Sequence, residues 1–140
     1  MRALVQRVVS ASVAVGGERV SAIGPGMLVL LGVHRDDGPE QADKLVRKLL
    51  ALRIFEDADG RMNHSVQDVN GEILCVSQFT LLGDARKGNR PSFVDAAPGD
   101  TAEPLYERVR DRLRAQGGSF GAHMRVALAN DGPVTILVET

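Results

Sequence analysis

A chain of 140 residues, 44% hydrophobic and 25% charged, has the composition of one globular domain with its own core. A formal net charge of −1 excludes a protein that wraps nucleic acid by bulk electrostatics, so any RNA contact has to be local. A single cysteine, Cys75, rules out a disulfide within the chain, and no stretch has the makings of a secretory signal or a membrane span, so residence in the cytoplasm and no membrane partner are expected.

In chain order, the alternation of Arg2 to Val9 predicts a first strand, with Arg7 in a row of Ala3, Val5 and Val9. A charge in that row must snorkel or find acceptors, and the usual exposure of arginine favours a position at the sheet edge. Gly16-Gly17 reads as a turn, Glu18 to Ile23 as a second strand, Gly24-Pro25-Gly26 as another turn, and Met27 to Val33 as a central apolar strand. Asp37-Gly38-Pro39-Glu40 has the residues of a helix start with Asp37 as N-cap. Ala42, Leu45, Val46, Leu49 and Leu50 share one face of the helix that follows. Arg53-Ile54-Phe55 reads as a short strand and Asp57 to Gly60 as a turn, without the further ligands a calcium loop needs. Asn63-His64-Ser65 continues as polar loop, tacked down by Val66 and Val69.

Glu72 to Ser77 predicts a buried strand that runs into Gln78-Phe79-Thr80. Arg86 to Phe93 is the one compact basic cluster, either a solvated loop or a phosphate contact through Arg86, Lys87 and Arg90. A second helix is predicted from Asp100, with Glu103 at capping-box spacing, an apolar face of Ala102, Leu105, Tyr106, Val109 and Leu113, and Gly117-Gly118 as its end. Val126 and Leu128, then Val134, Ile136 and Val138, complete the sheet on either side of Asn130-Asp131-Gly132-Pro133-Val134-Thr135, which reads as a rigid strand-to-strand turn. The fold class expected is α/β: a mixed, mainly antiparallel sheet or open barrel with two amphipathic helices packed on it, in a single domain over 1–140.

The common catalytic constellations are missing. There is no Gly-x-Ser-x-Gly elbow and no phosphate loop, and His34, His64 and His123 do not stand at metal spacing. Thr80, at the carboxyl end of a buried strand, is the best side-chain candidate for a nucleophile or a water-orienting group; bonding its own turn is the plainer alternative. Backbone amides around Gln78, Phe79 and Thr80 offer a third role, the stabilisation of an oxyanion, which needs donors and no special side chain.

Ser77-Gln78-Phe79-Thr80-Leu81, followed much later by Asn130 to Thr135, resembles the motif pair of the D-aminoacyl-tRNA deacylases, enzymes that hydrolyse D-amino acids from mischarged tRNA. The likeness continues through Met1 to Val8, Ile23 to Gly26, Leu52 to Phe55 and Arg90 to Phe93. It implies a homodimeric ester hydrolase acting on the 3′-terminal aminoacyl-adenosine of tRNA, with D-aminoacyl and possibly glycyl esters as substrates and no metal or other cofactor. It implies too that Gly132-Pro133 is a cis peptide inserted into the other subunit's site, where its carbonyls exclude L-amino acids and Arg7 holds it in place. Backbone groups of Ser77, Gln78, Phe79 and Thr80 would then face the scissile ester while the terminal ribose hydroxyl assists the attack. Phe120 and Met124 would line the pocket, although the chain departs from the family there, with a shortened Gly117-Gly118-Ser119 and His123 where Asp is frequent. Two other readings stand beside this one: a related deacylase with a trans Gly-Pro turn and relaxed chirality, and a non-catalytic module that binds RNA 3′ ends.

Overall fold

In the computed structural model, which describes residues 1–140, the sheet is assembled on one long strand, β1 (Arg2–Val15). One edge of β1 pairs antiparallel with β2 (Glu18–Ile23) and then β3 (Gly26–Gly32). The other edge pairs antiparallel with β8 (Arg125–Glu139) over almost its whole length. β3 continues the sheet in parallel with β6 (Glu72–Ser77), and β6 in parallel with the short β7 (Gln116–Gly117). Parallel neighbours require crossovers, and the two helices belong to them: α1 (Pro39–Ala51) between β3 and β6, α2 (Gly99–Leu113) between β6 and β7. β4 (Phe55–Glu56) and β5 (Met62–His64) form a separate hairpin. The expected mixed sheet with two packed helices is the fold observed.

Successive residues of a strand face opposite sides of a sheet, and the core divides accordingly. Val5, Met27, Val29, Leu31, Ile73 and Cys75 join Leu45, Leu49, Leu105 and Tyr106 of the helices in a cluster of 24 buried residues. Leu28, Leu74 and Val76 point the other way, into a cluster of 7 with Val8, Ala11, Val13 and Ile23. Burying each of Leu45, Val46 and Leu49 contributes about 1.5–3 kcal/mol, which keeps the apolar stripe of α1 on the sheet. Burial pushes the Cys75 thiol up to about 12.

Local start and stop signals fared less well than the apolar pattern. The N-cap of α1 is Gly38, whose amide donates to Gln41 Oε1 at 2.8 Å. Asp37 is diverted to the His34 amide and the N-terminal ammonium. α2 starts at Gly99, which puts Asp100 inside its first turn, and it closes on Arg114 at φ 54°; Gly117 lies beyond the helix, in β7. The short strand falls at Phe55–Glu56 rather than over Arg53-Ile54-Phe55, Met62–His64 is strand rather than loop, and only Val66 of the two valines is buried. β1 runs past Val9 to Val15. Most consequentially, Asn130 to Thr135 is no strand-to-strand turn: it lies inside β8, which pairs with β1 in the same direction before and after it.

Gly26 marks the closest approach of β3 to β6. A Cβ there would stand 2.6 Å from the Glu72 nitrogen and 2.7 Å from its carbonyl carbon, both backbone atoms that cannot rotate away. Gly26→Ala is expected to lower stability by at least about 1–3 kcal/mol, measured as a fall in the midpoint of chemical denaturation.

Candidate active site

β6 ends at Ser77, and the Gln78 amide donates to Leu31 O at 2.7 Å, carrying the β3–β6 pairing one step further. The chain then tightens into a 3-10 turn, Phe79–Leu82, through Leu81 N to Gln78 O at 3.2 Å and Gly83 N to Thr80 O at 3.0 Å. The leading amides of such a turn have no acceptor within it, so those of Phe79 and Thr80 stand outside its internal bonding. Two devices hold the turn in place. Arg2 Nη1 donates to Leu81 O at 2.9 Å. Gly32 permits the close approach of β3, since a Cβ there would meet Gln78 O and Leu81 Cβ, each at 3.1 Å. The Thr80 hydroxyl is exposed, and the side chain bonded to it is the Gln78 carboxamide, which is no base. Of the three roles open to this stretch, that contact favours backbone donors over an activated threonine.

Phe79, 55% exposed, meets Phe93 edge-on with ring centroids 5.2 Å apart. Between the two rings Asp84 and Ser92 exchange backbone hydrogen bonds of 2.7 and 2.8 Å, which closes a loop over residues 85–91. Arg86 folds back onto Asp84, with Nε to Oδ1 at 2.9 Å and Nη2 to Oδ2 at 2.7 Å, and this guanidinium lowers the Asp84 carboxyl to about 2. An unfolded aspartate titrates near ~3.9, so the pair contributes fully above that pH and is lost only as pH falls through about 2. The Asp84–Arg86 pair therefore stays charged across the neutral range. Arg86 is committed to that clamp; Lys87 and Arg90 are exposed and belong to no ion pair.

The second stretch lies across the sheet. Gln6 pairs with Thr135 and Val8 with Asn130, so Asp131, Gly132, Pro133 and Val134 stand opposite Arg7 alone and leave the ladder as a bulge. The Gly132–Pro133 peptide is cis, and Gly132 has φ +127°, a region that favours glycine. Arg7 is 6% exposed, not at a solvated edge as expected. Acceptors from remote segments make that burial tolerable: Nη1 donates to Ile54 O at 2.8 Å and Nε to Asp131 O at 3.2 Å, with the Asp131 and Glu56 carboxylates 3.2 and 3.7 Å away. Asn130 Nδ2 donates to Arg7 O at 2.9 Å and to Val134 O at 3.0 Å. Side-chain donors thus engage the carbonyls of Asp131 and Val134, and none reaches those of Gly132 and Pro133.

Strand register sets the distance between the two stretches. Ser77 lies in the row Ser77, Leu31, Ala3, Val138, whereas the bulge extends the row Ile73, Met27, Arg7. Four residues along a strand at ~3.3 Å each and three strand spacings of ~4.8 Å separate them by roughly 20 Å over the sheet. Phe120 and Met124 fall in different clusters: Phe120 tilts against Tyr106 with centroids 5.8 Å apart, and Met124 packs against the smaller core. Because β7 runs parallel to β6, the chain leaving it toward Phe120 heads for the end of the sheet that carries Ser77. No three His, Cys, Asp or Glu side chains gather closely enough to hold a metal ion, so His34, His64 and His123 form no such group. Arg2, Gly32, Ile54 and Asn130 were given no role of their own from sequence. Arg2, Ile54 and Asn130 lay within resembling stretches, but Arg2 and Ile54 act through contacts 79 and 47 residues away along the chain.

The profile of the D-Tyr-tRNA(Tyr) deacylase family matches residues 4–139. The D-aminoacyl-tRNA deacylase of Anaeromyxobacter dehalogenans (strain 2CP-C) is 59% identical, over 100% of this chain and 97% of its own. That of Thermotoga petrophila is 55% identical over the same shares. A solved structure described as a c-Myc DNA Unwinding Element Binding Protein superposes with a TM-score of 0.95 at 49% identity, covering 100% of this chain and 99% of that one. Another, described as a probable eukaryotic D-amino acid tRNA deacylase, has a TM-score of 0.84 at 20% identity over 98% and 97% of the two chains, and shares the fold.

Proposed function

The chain belongs to the D-aminoacyl-tRNA deacylase family of ester hydrolases, and on that premise we propose how its own residues divide the work. The reaction is hydrolysis of the ester joining a D-amino acid to tRNA, a step of translation quality control. The ester carbonyl sits at the 3-10 turn, where the free amides of Phe79 and Thr80 stabilise the charge that develops on its oxygen. Ser77 and Gln78 set the turn's position through the strand they extend. The ribose hydroxyl of the terminal adenosine assists the attack, so no side-chain nucleophile is required. Lys87 and Arg90, on the loop tied to the turn through Phe93 and Phe79, contact phosphates near the tRNA 3′ end.

Stereochemical choice falls to the carbonyls of Gly132 and Pro133. Exchanging D for L swaps the hydrogen and the side chain on the substrate's Cα, so carbonyls that leave room only for hydrogen reject the L side chain by collision. Glycyl esters, having no side chain, pass. The observation that carries this reading is the register, which sets bulge and 3-10 turn four residues and three strands apart within one chain, roughly 20 Å along the sheet. Both can reach one ester when the bulge comes from a second subunit, which makes the active form a homodimer with two composite sites. Arg7 supports the bulge as only a planar, multiply donating group can, bridging Ile54 O and Asp131 O at once.

Purified protein is expected to sediment as a dimer at micromolar concentration and to hydrolyse D-tyrosyl-tRNA in strong preference to L-tyrosyl-tRNA. A fully active, selective monomer would overturn the composite site. Thr80→Ala is expected to keep deacylation within about tenfold of the unmodified enzyme; a loss of several powers of ten would instead identify an activated nucleophile. Arg7→Lys, which cannot make both bridging bonds, is expected to reduce D-aminoacyl hydrolysis by about tenfold or more while circular dichroism shows the sheet intact.

A further inference from the structure

Two ends of the bulge need fixing, and Arg7 fixes one. Its guanidinium holds the leading carbonyl, Asp131 O, at 3.2 Å. The trailing carbonyl, Val134 O, is held by Asn130 Nδ2 at 3.0 Å, and the same nitrogen donates to Arg7 O on the facing strand at 2.9 Å. A primary carboxamide nitrogen has two hydrogens, and these two bonds use both. Asn130 is therefore a strut: it ties the return of the bulge to its departure point and both to β1. Gly132 and Pro133, between the tied ends, have no side-chain tether of their own, so their carbonyls stand where the ends put them.

We propose that Asn130 is a positioning residue for stereochemical discrimination, setting through these two hydrogen bonds how far the Gly132 and Pro133 carbonyls protrude toward the substrate. The inference rests on those carbonyls being the filter. A filter that separates a hydrogen from a side chain tolerates displacements of only about 0.5 Å. Losing the strut leaves the trailing carbonyl without its side-chain donor, and residues 131–134 have no ladder partners to hold it instead. Asparagine fits this role by length and by chemistry. Aspartate has the same shape but only acceptors, and would set carboxylate oxygens against both carbonyls.

The test is kcat/KM for D-tyrosyl-tRNA and L-tyrosyl-tRNA in Asn130→Asp, Asn130→Ala and Pro133→Ala, with the dimer checked by sedimentation. The D-over-L ratio is expected to fall at least tenfold in both Asn130 variants, more in Asp than in Ala, while the dimer persists. Equal losses on the two substrates, or a lowered thermal midpoint with the ratio intact, would make Asn130 a merely structural residue and overturn the proposal. The alanine variant decides the matter should the aspartate variant fail to fold. A ratio lost in Pro133→Ala but kept in both Asn130 variants overturns the assignment of Asn130 alone. Equal turnover of the two substrates by the unmodified dimer removes the filter itself, and the role of Asn130 with it.

Discussion

Between the pairs Gln6–Thr135 and Val8–Asn130, β8 has four residues to place opposite one, and the buried guanidinium of Arg7 keeps them in a single arrangement. Burying such a group costs several kcal/mol unless its donors are satisfied. Ile54 O, just before β4, and Asp131 O, in the bulge, supply what it needs, so one side chain binds β1, β8 and the β4–β5 hairpin together. A second irregularity, between Val8 and Ser10, shifts the alternation of β1, so that Ala11 and Val13 join Val8 on one face. Ala3, Val5 and Arg7 face one way, and Val8 is then buried in the smaller cluster on the other face, leaving Val9 exposed.

On the proposed reading, both stretches that serve the reaction present backbone rather than side chains: amides at the 3-10 turn, carbonyls at the bulge. Residues that control the backbone therefore matter more than residues with reactive groups. Gly32 lets the turn approach β3, Arg2 holds its Leu81 carbonyl, Gly132 adopts a φ that side chains disfavour, and Asn130 spans the bulge. A side-chain inventory in search of a nucleophile and a base finds little here, because the donors a developing oxyanion needs are present on any chain folded this way.

That division also explains what could be read before the fold was known. Strand spans such as Glu18–Ile23 and Glu72–Ser77 were legible because alternation or a sustained apolar run reports burial directly. The motif pair was legible as a resemblance. Capping was misread because Asp37 had better partners, an ammonium and an amide brought to it by the tertiary fold. Arg7 was misplaced because its acceptors arrive from positions 47 and 124 residues away, which no local pattern reports. Asn130 to Thr135 looked like a chain reversal since Asn, Asp, Gly and Pro are turn residues. Only the pairing of β1 on both sides shows that they form an excursion within one strand.

In the proposed arrangement, the register that holds the bulge away from the 3-10 turn also joins selectivity to assembly. A lone protomer with its turn exposed has the donors for hydrolysis and no carbonyls in front of them to inspect the substrate. Under the proposed arrangement, discrimination appears only when a second chain closes over the turn. The surface suits such a closure: Phe79 and Val94 beside the turn are 55% and 68% exposed, and Val9 beside the bulge is 51% exposed. Val9 also lines a cleft of about 380 Å³ with Val8, Pro25 and Asp131. Apolar groups left in the open at both stretches are what a two-fold interface buries, because in such an interface the turn patch of each chain lies against the bulge patch of the other. In the proposed arrangement the contacts that stabilise the pair are those that deliver the filter, so no unselective monomeric hydrolase would arise.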